Sequence, residues 1–295
     1  MARAEGFDAR YIQQPGPPQE PRILAVPARG LSFNFDLEPG VQLLEGMRRG
    51  FAARGFSSGV AELGTVALGP FTYVMPALSV DGKNAAFYSE TFRPAGITRL
   101  EAGAITFGSR DGAPFFHCHA LWQEADGKIT GGHILPEEAI IAERISVTAF
   151  GLDGARFEGN PDPETNFKLF GPVAIPSSAP DTNCRAFAVR LRPNQDFAGA
   201  LEALCKVQNI RRARIRGGVG STIGSRLVGG IEVKNFATEV FIRRGIVEMD
   251  ASGTPKAHLD VGLVDYTGGM ASGTVINGDN PVLMTFELAV EELLS

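Results

Sequence analysis

At 295 residues the chain exceeds the usual size of one domain, so two domains are the default expectation. Charged residues at 21% and hydrophobic residues at 44% are ordinary for a globular protein with real cores, while a net charge of −5 argues against a general nucleic-acid binder. Neither a signal-like apolar run at the N-terminus nor a stretch of about 18 apolar residues occurs, and the three scattered cysteines, Cys118, Cys184 and Cys205, read as reduced thiols, so a cytoplasmic protein off the membrane is expected.

Residues 1–30 open with Gln13-Gln14-Pro15-Gly16-Pro17-Pro18 and little apolar periodicity, which predicts an extended arm laid across a partner domain or subunit. From Leu31 the alternation Ser32-Phe33-Asn34-Phe35-Asp36-Leu37 predicts a strand. Pro39-Gly40 breaks it, and residues 41–54 read as a helix with Val41, Leu43, Leu44, Met47 and Phe51 on one stripe. Gly55 stands where a left-handed cap ends such a helix. Short strands follow as far as residue 116, and residues 140–150 read as one further strand.

Residues 116–135 hold three of the four histidines and read as a β-hairpin turning at Ala125-Asp126-Gly127. Side chains alternate along a strand, so His117 and His119 share a face and Cys118 takes the other. A three-residue loop with Gly127 at positive φ pairs Glu124 with Lys128 and sets His119 directly opposite His133. A two-residue loop would shift the register by one and send His133 to the far face. The three-residue loop places its glycine where positive φ is needed and is the one expected here. Three imidazoles then converge from two strands as a half-shell for a divalent transition metal, zinc first, with a position left for water or substrate. The competing reading is a set of polar residues on a solvated face or core histidines satisfied by hydrogen bonds.

Residues 171–184, rich in Pro and Ser, have linker composition, after which the chain repeats itself. Phe187 to Pro193 reproduce the layout of Phe33 to Pro39, and Phe197, Leu201 and Cys205 fall where Leu43, Met47 and Phe51 fall. Gly253 to His258 match Gly112 to His117, with Gly268 under Gly127. This is an internal duplication: one unit over 31–170 and a second over 185–295. His117 is matched by His258, but Asp260 stands at the place of His119 and Thr274 at that of His133. A hairpin that survives without the triad does not need it for packing, which weakens the core-histidine reading for the first copy.

The stretch from Phe116 to Phe170 resembles the PPC (plants and prokaryotes conserved, DUF296) domain family. The resemblance is carried by His117-Cys118-His119, by Asp126 to Leu135, and by Arg156-Phe157 followed by Asp162-Pro163-Glu164-Thr165-Asn166-Phe167. With the strand and helix before it, the match spans 31–170, and 185–295 looks like a diverged second copy. The resemblance implies an α+β fold of two PPC-like domains, each an antiparallel sheet with a helix packed across it, and trimer-like packing in a homo-oligomer. It further implies metal binding at His117, His119 and His133, and a DNA-binding label carried by many members. Two departures stand out: no Arg-Gly-Arg-Pro type AT-hook is present, and Asn166 occupies a usual glycine position.

Arg212, Arg214 and Arg216 alternate onto one strand face and could contact an anion or nucleic acid, with pairing to carboxylates as the blander reading. Gly217 to Ser221 lack the Gly-Lys-Ser/Thr end of a phosphate loop. Glu101, Glu124 and Glu143 are candidate bases only if they reach the metal pocket, and Trp122 belongs to a core or interface. Two functions compete: a metal-centred site for a small molecule, carboxylate-bearing among the options and with catalysis undecided, and a DNA-binding or regulatory module disfavoured by the net charge.

Overall fold

The computed structural model describes residues 10–178, 182 and 184–294. Its first half runs β1 (Ile23–Leu37), α1 (Leu43–Ala52), β2 (Gly59–Leu63), β3 (Ala67–Val74), β4 (Pro76–Leu78), β5 (Ala86–Tyr88), β6 (Thr98–Arg110), β7 (Ala113–Gln123), β8 (Ile129–Ile141), β9 (Ile145–Asp153), β10 (Ala155–Pro161) and β11 (Lys168–Ala174). The second runs β12 (Cys184–Leu191), α2 (Phe197–Val207), β13 (Arg212–Leu227), β14 (Ile231–Met249), β15 (Pro255–Asp265), β16 (Met270–Thr274) and β17 (Val282–Glu292). Fifteen of these strands join one mostly antiparallel sheet, and the two helices of 10 and 11 residues are the only ones among the described residues. The expected α+β class therefore becomes a predominantly β architecture, because the long hairpins outweigh one short helix per half.

Within the sheet, β1 pairs with β9, β9 with β2, β2 with β6, β6 with β7 and β7 with β8. The second half pairs β12 with β17, β17 with β13, β13 with β14, β14 with β15 and β15 with β16 in the same succession. His119 faces His133 across β7 and β8, and Asp260 faces Thr274 across β15 and β16. Each helix lays its predicted stripe onto its own half. Leu43, Met47 and Phe51 are fully buried, as are Phe197, Leu201 and Cys205. Gly50 lets α1 approach β1, since a Cβ there would come 2.3 Å from the Phe35 ring. Asp196 caps α2 by accepting from the Gly199 N–H at 2.7 Å, satisfying one donor that the first turn leaves free. Gly55, past α1, has φ 78°, the left-handed residue expected there.

Three expectations need correction. First, β1 begins at Ile23, so residues 23–30 are strand and not arm; they pair with β12 from Ile23↔Leu191 to Gly30↔Cys184. Pro27 and the run Ile23-Leu24-Ala25-Val26 hid this, and Pro27 is admissible because that stretch is paired on one edge only. Second, the strand expected over 140–150 is broken between Ile141 and Ile145, where the chain turns from β8 into β9. Third, the linker expected over 171–184 starts as the end of β11, which pairs with β10 to Ala155↔Ala174, and ends at Cys184 as the start of β12; four of its residues, 179–181 and 183, lie outside the described residues. The part of the arm that is described, from Arg10, crosses the second half of its own chain: Arg10 Nη1 donates to the Ile223 carbonyl at 2.6 Å and Gln14 Nε2 to that of Leu283 at 2.7 Å. Residues 1–9 lie outside the described residues.

A buried ionic network ties the halves together. Asp162 Oδ2 accepts from Arg190 Nη2 at 2.7 Å and Arg192 Nη1 at 2.9 Å, while its Oδ1 accepts from the backbone N–H groups of Glu164 and Thr165. Glu164 holds Arg22 through two bonds of 2.8 and 2.9 Å. Burial alone would raise the Asp162 pKa, but the Arg190 charge and the bonds it accepts leave it below the usual carboxylate value. Asn166, four positions further on, has φ 61°, a left-handed conformation that asparagine tolerates better than most residues. Removing one member of a buried pair strands its partner's charge, so Asp162→Asn is expected to cost on the order of 3 kcal/mol in urea unfolding at neutral pH. The folded pKa lies below the unfolded one, so this contribution is complete above about pH 4 and lost as pH falls through the folded value. The stability gap between wild type and Asp162→Asn therefore narrows in acid.

Candidate metal centre

The hairpin that carries the histidines closes through a loop of three residues. Glu124 N–H donates to the Lys128 carbonyl at 2.8 Å, Gly127 N–H to that of Glu124 at 2.9 Å, and Gly127 takes φ 91°. Asp126 Oδ1 accepts from the Lys128 N–H at 2.9 Å and fixes the loop further. The register is the expected one, with His119 opposite His133. β8 can approach β7 and β3 closely because Gly131 and Gly132 precede His133. A Cβ at Gly131 would meet Leu121 Cδ2 at 2.5 Å, and one at Gly132 would meet the Val74 carbonyl oxygen at 2.6 Å.

His117, His119 and His133 meet, each offering one ring nitrogen, with those nitrogens all within 4.8 Å of one another. They are a group that could hold a metal ion. His119 and His133 are 3% and 8% exposed, and His117 is partly buried. His117 Nδ1 bonds Glu287 Oε2 at 2.9 Å, and His119 Nδ1 bonds the Val240 carbonyl at 3.1 Å. A carbonyl only accepts, so His119 carries its proton on Nδ1, and a Glu287 carboxylate sets the same tautomer in His117. The two Nε2 atoms face each other at 3.0 Å. With both protons on Nδ1, that contact opposes two lone pairs, which a shared cation would relieve. Two nitrogens on one zinc, at bond lengths of about 2.0–2.1 Å in tetrahedral geometry, sit about 3.3 Å apart, close to this spacing. His133 Nδ1 is buried without a hydrogen-bond partner.

Electrostatics favour the neutral form of His119 and His133. Burial first, then the neighbouring His117, holds the His119 pKa well below the usual imidazole value. Burial, then His117 and His119, does the same for His133. Neutral imidazole is the form that binds a metal.

The residues that complete the centre come from the second half, 100 or more positions away. Glu287 on β17 is fully buried, and Thr285 Oγ1 donates to its Oε1 at 3.3 Å. Glu239 on β14 is 4% exposed, with Oε1 3.8 Å from His119 Nε2 and Oε2 without a partner. Burial pushes its carboxyl well above the usual range, so it tends to keep its proton. No local pattern announces either glutamate; each stands in a strand among apolar neighbours, and an acidic residue in such a run is the one signal available.

The other candidates lie elsewhere. Arg212, Arg214 and Arg216 share a face of β13, where Arg212 meets Glu248 at 3.7 Å, Arg214 meets Glu291 at 3.8 Å and Arg216 meets Glu291 at 2.6 Å. Gly217 and Gly218 form the bulge that follows, at φ 56° and 117°. Glu101 pairs with Arg243, Glu143 with Arg99, and Glu124 accepts from the Tyr73 hydroxyl at 2.9 Å, so none of the three reaches the histidines. Trp122 is core, at 1% exposure. In the second hairpin Thr274 Oγ1 donates to Asp260, so the positions matching His119 and His133 satisfy one another. No helix among the described residues is long and apolar enough to cross a membrane.

No curated protein matches the chain. Among solved structures, it is similar to a plant- and prokaryote-conserved (PPC) protein of Pyrococcus horikoshii at 18% identity and a TM-score of 0.39, over 50% of this chain and 95% of that one. A protein of Salmonella enterica gives 13% identity and 0.39 over 50% and 96%. A metal-containing protein of Archaeoglobus fulgidus gives 19% and 0.38 over 48% and 94%. At such identities and scores none of these likenesses bears on ligand or role. The Plants and Prokaryotes Conserved (PCC) domain family matches residues 179–294, which is the half without the full triad. Over that half the chain is similar to the PCC domain family.

Proposed function

We propose that the chain is a tandem of two PCC-type domains, about 23–178 and 179–294, in which the first carries a divalent metal centre for a small-molecule ligand. Zinc is the metal that three neutral imidazoles suit best, held by His117, His119 and His133 with a coordination position left for ligand or water. The observation that carries this reading is the pair of Nε2 atoms facing at 3.0 Å while both Nδ1 atoms are engaged by acceptors. Such an ion supplies Lewis acidity and a lowered pKa for bound water. The protein's own part is to hold His117 through Glu287 and His119 through Val240, and to keep the centre among apolar walls that strengthen polar interactions. The second copy supplies those partners and no triad of its own. Each arginine of the β13 face stands within 4 Å of Glu248 or Glu291, which weakens the cationic field that the DNA reading needs.

Protein purified without chelators is expected to carry about one divalent metal per chain by elemental mass spectrometry. His119→Ala should lose it and His258→Ala should keep it; wild-type protein without metal after both aerobic and anaerobic preparation defeats the reading. Glu287→Gln, which removes the charge behind His117, is expected to weaken metal binding about 10- to 100-fold in competition with a chromogenic chelator.

A further inference from the structure

A cavity of about 350 Å³ is lined by His117 and His133. That is the scale of small-ligand sites, which start at about 300 Å³. Its walls are largely aromatic and aliphatic, with Tyr88, Phe115, Phe167 and Phe170 among them. Into this cleft the end of β6 brings Arg110. The arginine stem lies against Gly159, where an added Cβ would come 3.1 Å from Arg110 Cγ, and the guanidinium carbon sits 5.1 Å from the centre of the Phe115 ring.

Arg110 differs from the other cations around it. Lys168, which lines the same cleft, is bound by Asp111 at 2.6 and 2.8 Å, and nearby Arg156 is bound by Glu158 at 2.8 Å. Among the described residues no carboxylate lies within ion-pair distance of Arg110. A half-buried guanidinium on an apolar wall has been partly stripped of water, and its planar fork of donors gains most from an oxyanion that takes two of them at once. His117 and His133 line the same cleft as Arg110, so a bound anion and the imidazoles share one space.

We propose that Arg110 is the specificity-determining residue of a subsite for the carboxylate of a small organic monoanion. The carboxylate lies on the guanidinium, the body of the ligand lies between the aromatic walls, and its far end reaches the imidazoles. Phosphate shares the fork chemistry, but the cleft is also lined by Glu287 and by Glu137 at its exposed rim, and these raise the cost of a dianion more than that of a monoanion. The placement of the ligand's far end rests on the metal reading above; the arginine subsite itself does not.

Calorimetric titration of benzoate and, separately, of inorganic phosphate into zinc-loaded and metal-free protein tests this. Benzoate is expected to bind wild type more tightly than phosphate. Arg110→Met should weaken benzoate at least tenfold with zinc content unchanged, and Arg110→Lys, which keeps the charge but loses the fork, should fall between. If the chain takes up no zinc, the same ranking of the three proteins in metal-free form sustains the subsite although the metal reading fails. Equal benzoate affinity in wild type and Arg110→Met, tighter binding of phosphate than benzoate, or no binding of either to wild type overturns the proposal.

Discussion

The hydrogen bond between His117 Nδ1 and Glu287 Oε2 joins the two halves of the chain at the point where their chemistry meets. A fully buried carboxylate with no partner would be too costly to keep, so Glu287 needs His117 and Thr285 as much as His117 needs an acceptor. The bond survives only while the β7–β8 hairpin stays docked on β13, β14 and β17. That docking is held by the shared sheet through β1 and β12, by the apolar contacts of Leu121 with Val219, Phe241 and Val264, and by the Asp162–Arg190–Arg192 network.

What could be read from the sequence is what local chemistry determines. The hairpin register followed from one glycine and one loop length, and the helix stripes followed from spacing; both needed no knowledge of distant residues. The first eight residues of β1 did not declare themselves, because their partner strand lies some 160 positions away and nothing nearby marks the pairing. Glu239 and Glu287 were invisible for the same reason, and so was the setting of Arg110, because the carboxylates that its neighbouring cations take are placed only by the fold. The three arginines of β13 show the converse case. Their alternation was legible, but the acids opposite them belong to β14 and β17 and could not be placed in advance.

The two hairpins illustrate how one backbone plan serves two chemistries. In the first, rings too close to be comfortable as bare lone pairs crowd one spot, with a buried acid group beside them. In the second, a short hydroxyl and a carboxylate close the same gap on their own. The difference lies in side chains alone, since the strand pairing is shared residue for residue at these positions.

The continuous hydrogen-bonded seam from β1 into β12 places donor and acceptor halves of the centre on a single polypeptide. Dilution cannot part them, as it could if Glu287 arrived from a separate molecule. Whether the three histidines meet their buried partners is thereby set by folding and not by how much protein is present, and that holds however many chains associate.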